Sequence, residues 1–161
     1  MARRRLIVVA ATAVLLSLYC SDSSYTRLTL AEAIAVVTLR DIAVAQHCYR
    51  ASSLSGNFAM NFRILKSKAD QRLRCLQKIV VDQHDPTKAT LSGYTFQLRV
   101  RLKGGRVVDW WCWADPTTTV GKGCKYFFVC GDGVIRVSDT APSNRSKPTG
   151  QAWSAVRLRK G

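Results

Sequence analysis

The spacing of hydrophobic and polar positions changes several times along this chain, and each change marks a new element. From Leu6 to Leu18 the residues are continuously apolar, with Arg3, Arg4 and Arg5 before them and the polar "SDSS" after. Beyond Thr29 two lines of residues fall at helical intervals. One is Ala35, Leu39, Ile42, Gln46 and Tyr49; the other is Leu30, Ile34, Val37, Val44 and Cys48, broken only by Asp41. Thr29 and Glu32 have the spacing of a capping box, with the hydroxyl at N-cap and the carboxylate at N3. The pattern predicts a helix of about five or six turns with a broad apolar face, ended by "SSLSGN". A second stripe then runs through Phe58, Phe62, Leu65, Ala69, Leu73, Leu76 and Val80, with Arg63, Lys66, Lys68, Arg74 and Lys78 opposite, and predicts a second, shorter helix. "DQHDPTKATLSG" reads as a loop punctuated by Pro86 and Gly93.

From Tyr94 the period falls to two. Phe96, Leu98, Val100 and Leu102 alternate with Gln97, Arg99, Arg101 and Lys103, the signature of a half-buried strand. Gly104 and Gly105 tolerate the positive φ of a two-residue hairpin turn, and "VVDWWCW" returns as the second strand. "CKYFFVC" and "VIRVS" supply two more. Asp132–Gly133 reads as the turn that lets Phe127, Phe128 and Val129 pair with Val134, Ile135 and Val137, and Val134 to Ser138 reads as the closing strand. The expectation is an α+β domain: a long N-terminal helix, plus a second shorter one, packed on a four-stranded antiparallel meander. Residues 1–24 form an export signal or a short membrane or lipid anchor, 25–142 the domain, and 143–161 a basic Pro/Ser-containing tail.

Charge changes this picture from a fold to a fold with a field. The 161 residues carry a net charge of +15 with 47% hydrophobic content, and only three of the cations are in the leading arginine cluster. The folded part is therefore basic and attracts anionic partners such as nucleic acid or another anionic polymer. Solubility, or a fit to an acidic neighbour, is the competing reading. The apolar run is shorter than the ~20 residues a membrane-crossing helix needs, and it follows a basic cluster as in an export signal. Tyr19 is bulky for a cleavage site. Cleavage near Cys20 to Ser24, lipidation at Cys20, and retention through residues 6–19 as an anchor all fit.

An exported chain sits where disulfides persist, and six cysteines are present. The candidates are Cys48, Cys75, Cys112, Cys124 and Cys130, with Cys20 as the sixth cysteine. The pairings expected are Cys48 with Cys75, and Cys112 with Cys124 or Cys130. No Cys-x-x-Cys occurs, and His47 and His84 lie far from the Cys112–Cys130 group, which argues against zinc.

Catalytic signatures are lacking. His47 and Cys48 are adjacent, so on a helix their side chains diverge by about 100°. No nucleophile elbow, paired-acid motif or phosphate loop appears. The expectation is a non-enzymatic protein without cofactor or metal. The strongest binding candidate is the basic strand. With a regular turn at Gly104–Gly105, Lys103 faces Arg106, Arg101 faces Val108 and Arg99 faces Trp110. Trp110 then stands among Arg99, Arg101, Lys103 and Arg106 as a stacking platform for a polyanion, while Trp111 and Trp113 join the core. A one-residue shift exchanges these roles, and an arginine-flanked tryptophan covering its own sheet is the alternative to a ligand site.

The segments "EAIAVVTLRDIAVAQHCYR", "SGYTFQLRV" and "YFFVCGDGVIRVSD", in that order, resemble the type IV pilin-like and pseudopilin-like family over roughly residues 30–142. The resemblance implies a helix leading into a small antiparallel sheet and a structural or adaptor role in a type II secretion or type IV pilus-related system, with other cell-envelope or pilin-like proteins as partners. It also implies a calcium question, since relatives bind the ion in sheet loops. Asp115, Asp132 and Asp139 are the candidates, too few acids for a hard cation wanting six to eight oxygens. The chain departs from the family at its start: it has neither a glycine-ended cleavage site nor the apolar helix with glutamate at its fifth position. It looks like a pilin headgroup on an ordinary export signal. The alternatives are an exported polyanion-binding module and, more remotely, a secreted enzyme.

Overall fold

The structure is a computed structural model that describes residues 28–117, 124–142, 147 and 154–155. The expected export signal or anchor, with Cys20 and residues 6–19, lies outside the described residues, as does most of 143–161.

Helix α1 spans Leu30–Ser52. Its start is fixed reciprocally: the Thr29 backbone N–H donates to Glu32 Oε2 at 2.6 Å, and the Glu32 N–H donates to Thr29 Oγ1 at 3.3 Å. This is the capping box its sequence predicts. Ala35, Val36, Leu39, Ile42 and Ala45 are buried. Gln46 is buried on the same face, and its amide brackets Ala59, donating to the carbonyl at 3.1 Å and accepting from the N–H at 2.9 Å.

The single second helix expected over 58–80 is two short ones, α2 at Phe62–Lys68 and α3 at Arg74–Lys78. Asp70 interrupts them. Its carboxylate accepts from Arg72 N–H at 2.8 Å and its carbonyl from Leu73 N–H at 3.0 Å, a local turn that competes with helix continuation. Helix α3 has no capping side chain of its own. Instead Asp41 of α1 accepts from the N–H groups of Cys75 and Leu76 at 3.0 and 3.3 Å. The polar break in the apolar line of α1 is thus the cap of another helix.

The four-stranded expectation is also corrected. Among the described residues seven antiparallel strands, β1 to β7, lie side by side in sequence order: Val80–Val81, Lys88–Leu91, Tyr94–Lys103, Arg106–Pro116, Tyr126–Cys130, Arg136–Ser138 and Ser154–Ala155. Strand β2 lies in the segment read as loop. Ser92 and Gly93, with φ of 49° and 80°, make a two-residue turn with Leu91 opposite Tyr94, a geometry that twists compatibly with a hairpin. At the other end β6 begins only at Arg136, with Phe128 opposite it and Phe127 opposite Val137. Val134 and Ile135 therefore belong to the turn, and β6 is not the closing strand, because β7 from the C-terminal stretch pairs with it.

Alternation along the central strands separates two apolar layers. Tyr94, Phe96, Leu98, Trp110, Cys112, Ala114, Phe127 and Val129 join α1 in the main core, while Trp113, Phe128 and Cys130 form a second cluster. Trp113 and Phe128 have ring centroids 4.6 Å apart. Truncating any of these large buried rings to alanine costs about 3–5 kcal/mol.

Candidate functional site

The β3–β4 hairpin carries the predicted basic residues. Its tip is the expected Gly104–Gly105 turn, both residues at positive φ, with Lys103 opposite Arg106. Two residues further in, the register departs from expectation. Leu102 pairs with Val107 but Arg101 pairs with Asp109, so Val108 is the extra residue of a β-bulge. The bulge turns the strand over by one position. Val100 lies opposite Trp110 and Arg99 opposite Trp111. Trp110 is consequently buried in the main core at 0% exposure, against the expected platform, and Trp111 is the half-buried ring beside the arginines.

The charged side chains divide into committed and available. Arg101 reaches Asp109 Oδ2 at 3.5 Å, and Lys147 reaches the same oxygen at 2.8 Å. Arg99, Lys103 and Arg106 are exposed, and among the described residues none of them has an ion pair or hydrogen bond through its side chain. The cationic stripe of the second helical region is partly structural: Arg63 donates to the Gln83 carbonyl at 2.6 Å and Lys66 to the Ile79 carbonyl at 2.9 Å.

No disulfide joins any two of the five described cysteines, against the expected pairings. Cys75 sits beside Asp41, and Cys48 is about two helical turns, ~10 Å, further along α1, beyond the ~7 Å between Cα atoms that a bridge allows. Cys112 lies opposite Val129 and faces α1, whereas Cys130, one residue on, faces the other side of the sheet. Cys124 lies before the start of β5, and Tyr126 at that start is already ~10 Å along the strand from the Val129 opposite Cys112. Burial pushes the Cys112 thiol well above its ordinary value, so it is a neutral core group.

Cys130 belongs to a constellation that reading the turn as scaffold alone missed. The Cys130 thiol donates to Asp132 Oδ1 at 3.2 Å. The Asp132 carboxylate also accepts from Val134 N–H at 3.0 Å and from both terminal guanidinium nitrogens, Nη1 and Nη2, of Arg136. Arg136 holds the Asp132 carboxyl down to about 2, while burial raises the Cys130 thiol, leaving it protonated and a poor nucleophile at neutral pH. The signal in the sequence was the spacing of Asp132 and Arg136 across a tight turn. Beside this cluster a cavity of about 520 Å³ opens between the last turn of α1, the start of β4 and the end of β5, with Arg50, Phe58, Val108, Phe128, Cys130 and Asp132 in its lining.

His47 and Cys48 are both exposed on α1, and His47 makes an edge-on ring contact with Phe58 at 6.2 Å. Asp115, Asp132 and Asp139 do not come together, and the described residues hold no cluster of metal-ligating side chains. No helix among them is long and apolar enough to cross a membrane. No protein-family model, curated protein or solved structure matches the chain.

Proposed function

We propose that this is a non-enzymatic, extracytoplasmic domain of pilin-like design that serves as a structural or adaptor element of the cell envelope, in a type II secretion or type IV pilus-related system. The observation that carries the reading is the order of parts: a capped 23-residue helix, then an antiparallel meander, then an aromatic strand turning through Asp132–Gly133 into "VIRVS". The helix keeps Val37 and Val44 exposed at 42% each on its outer side, available to a neighbour. Expressed in its host, the full chain should be recovered outside the cytoplasm, and a photo-crosslinking residue at Val37 or Val44 should join it to another envelope or pilin-like protein. Recovery entirely in the cytoplasm would sink the reading.

A second reading, a polyanion-binding module, is favoured by one observation: among the described residues Arg99, Lys103 and Arg106 have no acidic partner, and Arg99 stands opposite the half-buried Trp111. DNA should shift at low salt and release at moderate salt, since each neutralised phosphate adds to the salt slope. The double variant Arg99→Ala with Lys103→Ala should weaken the shift. Absence of any shift at low salt removes this reading.

A further inference from the structure

The cavity beside Cys130 has a charge balance that specifies its occupant. Two of its acidic groups are already answered: Asp132 is clasped by Arg136, and Asp109 by Lys147 and Arg101. The remaining cation is Arg50, from the last turn of α1. Its guanidinium carbon lies 4.8 Å from the Phe58 ring centroid, and among the described residues it makes no ion pair or side-chain hydrogen bond. A guanidinium already held over an aromatic ring can offer its donors to a planar carboxylate at little further loss of freedom. Phe58, Val108 and Phe128 supply apolar wall, and Val108 is there because the bulge ejects it from the ladder. The volume of about 520 Å³ is in the range of small-molecule sites, roughly 300–1,000 Å³.

We propose that this cavity binds a carboxylate attached to an apolar body, held by Arg50 at the charged end and by Phe58, Val108 and Phe128 along its length. The chemistry is the same for a free aryl or alkyl acid and for the C-terminal residue of a partner peptide. The net charge of +15 draws either toward the surface. The site does not depend on the envelope role proposed above.

The test is a titration of the isotope-labelled protein followed by the backbone signals of Cys130, Gly131 and Asp132. The Trp110 indole N–H serves as a further reporter, since its ring centroid lies 6.4 Å from that of Phe58. Three probes are compared: hydrocinnamate, hydrocinnamyl alcohol, and an acetylated tripeptide ending in phenylalanine with a free carboxylate. At least one of the two carboxylates should give saturable shifts with Kd below ~1 mM, and the alcohol should bind at least about tenfold more weakly. Preference for the peptide assigns the ligand to a partner chain, and preference for the free acid assigns it to a small molecule. Arg50→Ala removes an exposed side chain without hydrogen bonds, so the fold should survive while affinity falls at least about tenfold. Val108→Trp, at a position 41% exposed, should fill the cavity and abolish the shifts. Saturable binding by neither carboxylate, equal binding of the alcohol, or unchanged affinity in either variant overturns the proposal.

Discussion

Gln46 shows how much one residue decides. A polar side chain in an apolar helical line looks like an interruption, yet it is fully buried because both ends of its amide are used on Ala59. Gln46→Leu should leave two buried backbone groups without partners and destabilise the domain by about 2–4 kcal/mol, measured by urea denaturation. A loss below about 0.5 kcal/mol would contradict that accounting. Asp132 makes the pH case. Its carboxyl is depressed to about 2, so the Asp132–Arg136 contribution is complete above the unfolded carboxyl's usual ~3.9. That contribution is lost as pH falls through about 2. In Arg136→Ala the Asp132 carboxyl should titrate closer to the ordinary range by carbon-detected NMR; an unmoved midpoint would show that Arg136 is not what holds it.

Among the elements, those with one uninterrupted local signal were legible and those set by a distant partner were not. Helix α1 and the β3–β4 hairpin follow from periodicity, a capping box and a Gly–Gly turn. The split second helix and strands β1, β2 and β7 did not. The stripe from Phe58 to Val80 has helical spacing throughout, but Asp70 finds its hydrogen bonds within its own turn, and the cap of α3 comes from Asp41, 34 residues away from Cys75. The β2 strand hid because Ser92 adopts a positive φ that its residue type rarely announces. The candidate site suffered from a smaller error: a single bulged residue, Val108, moved Trp110 from the arginine face to the core and Trp111 in the opposite direction. Asp41→Ala should weaken α3 specifically, by about 1 kcal/mol as for a lost N-cap. Amide exchange should accelerate at Cys75 to Lys78 with α1 unaffected, whereas uniform acceleration would mean that Asp41 supports the whole fold.

At the scale of the molecule, the two proposed binding surfaces predict different salt behaviour. Polyanion binding through the exposed hairpin cations should fall steeply between low and moderate salt, while the Arg50 cavity, with its apolar walls, should lose far less affinity over the same range. Parallel titrations of DNA and hydrocinnamate decide this, and equal salt slopes would contradict the division. One contact sets a condition on how the domain is made. Glu32 completes the start of α1 and also accepts from the Lys125 backbone N–H at 3.3 Å, across 93 residues. The first turn of α1 is thus tied to the residue that leads into β5. A chain emerging N-terminus first forms the Thr29–Glu32 box early but gains this second hold only when Lys125 arrives, so a protein halted before Lys125 should keep a more frayed, protease-sensitive helix start.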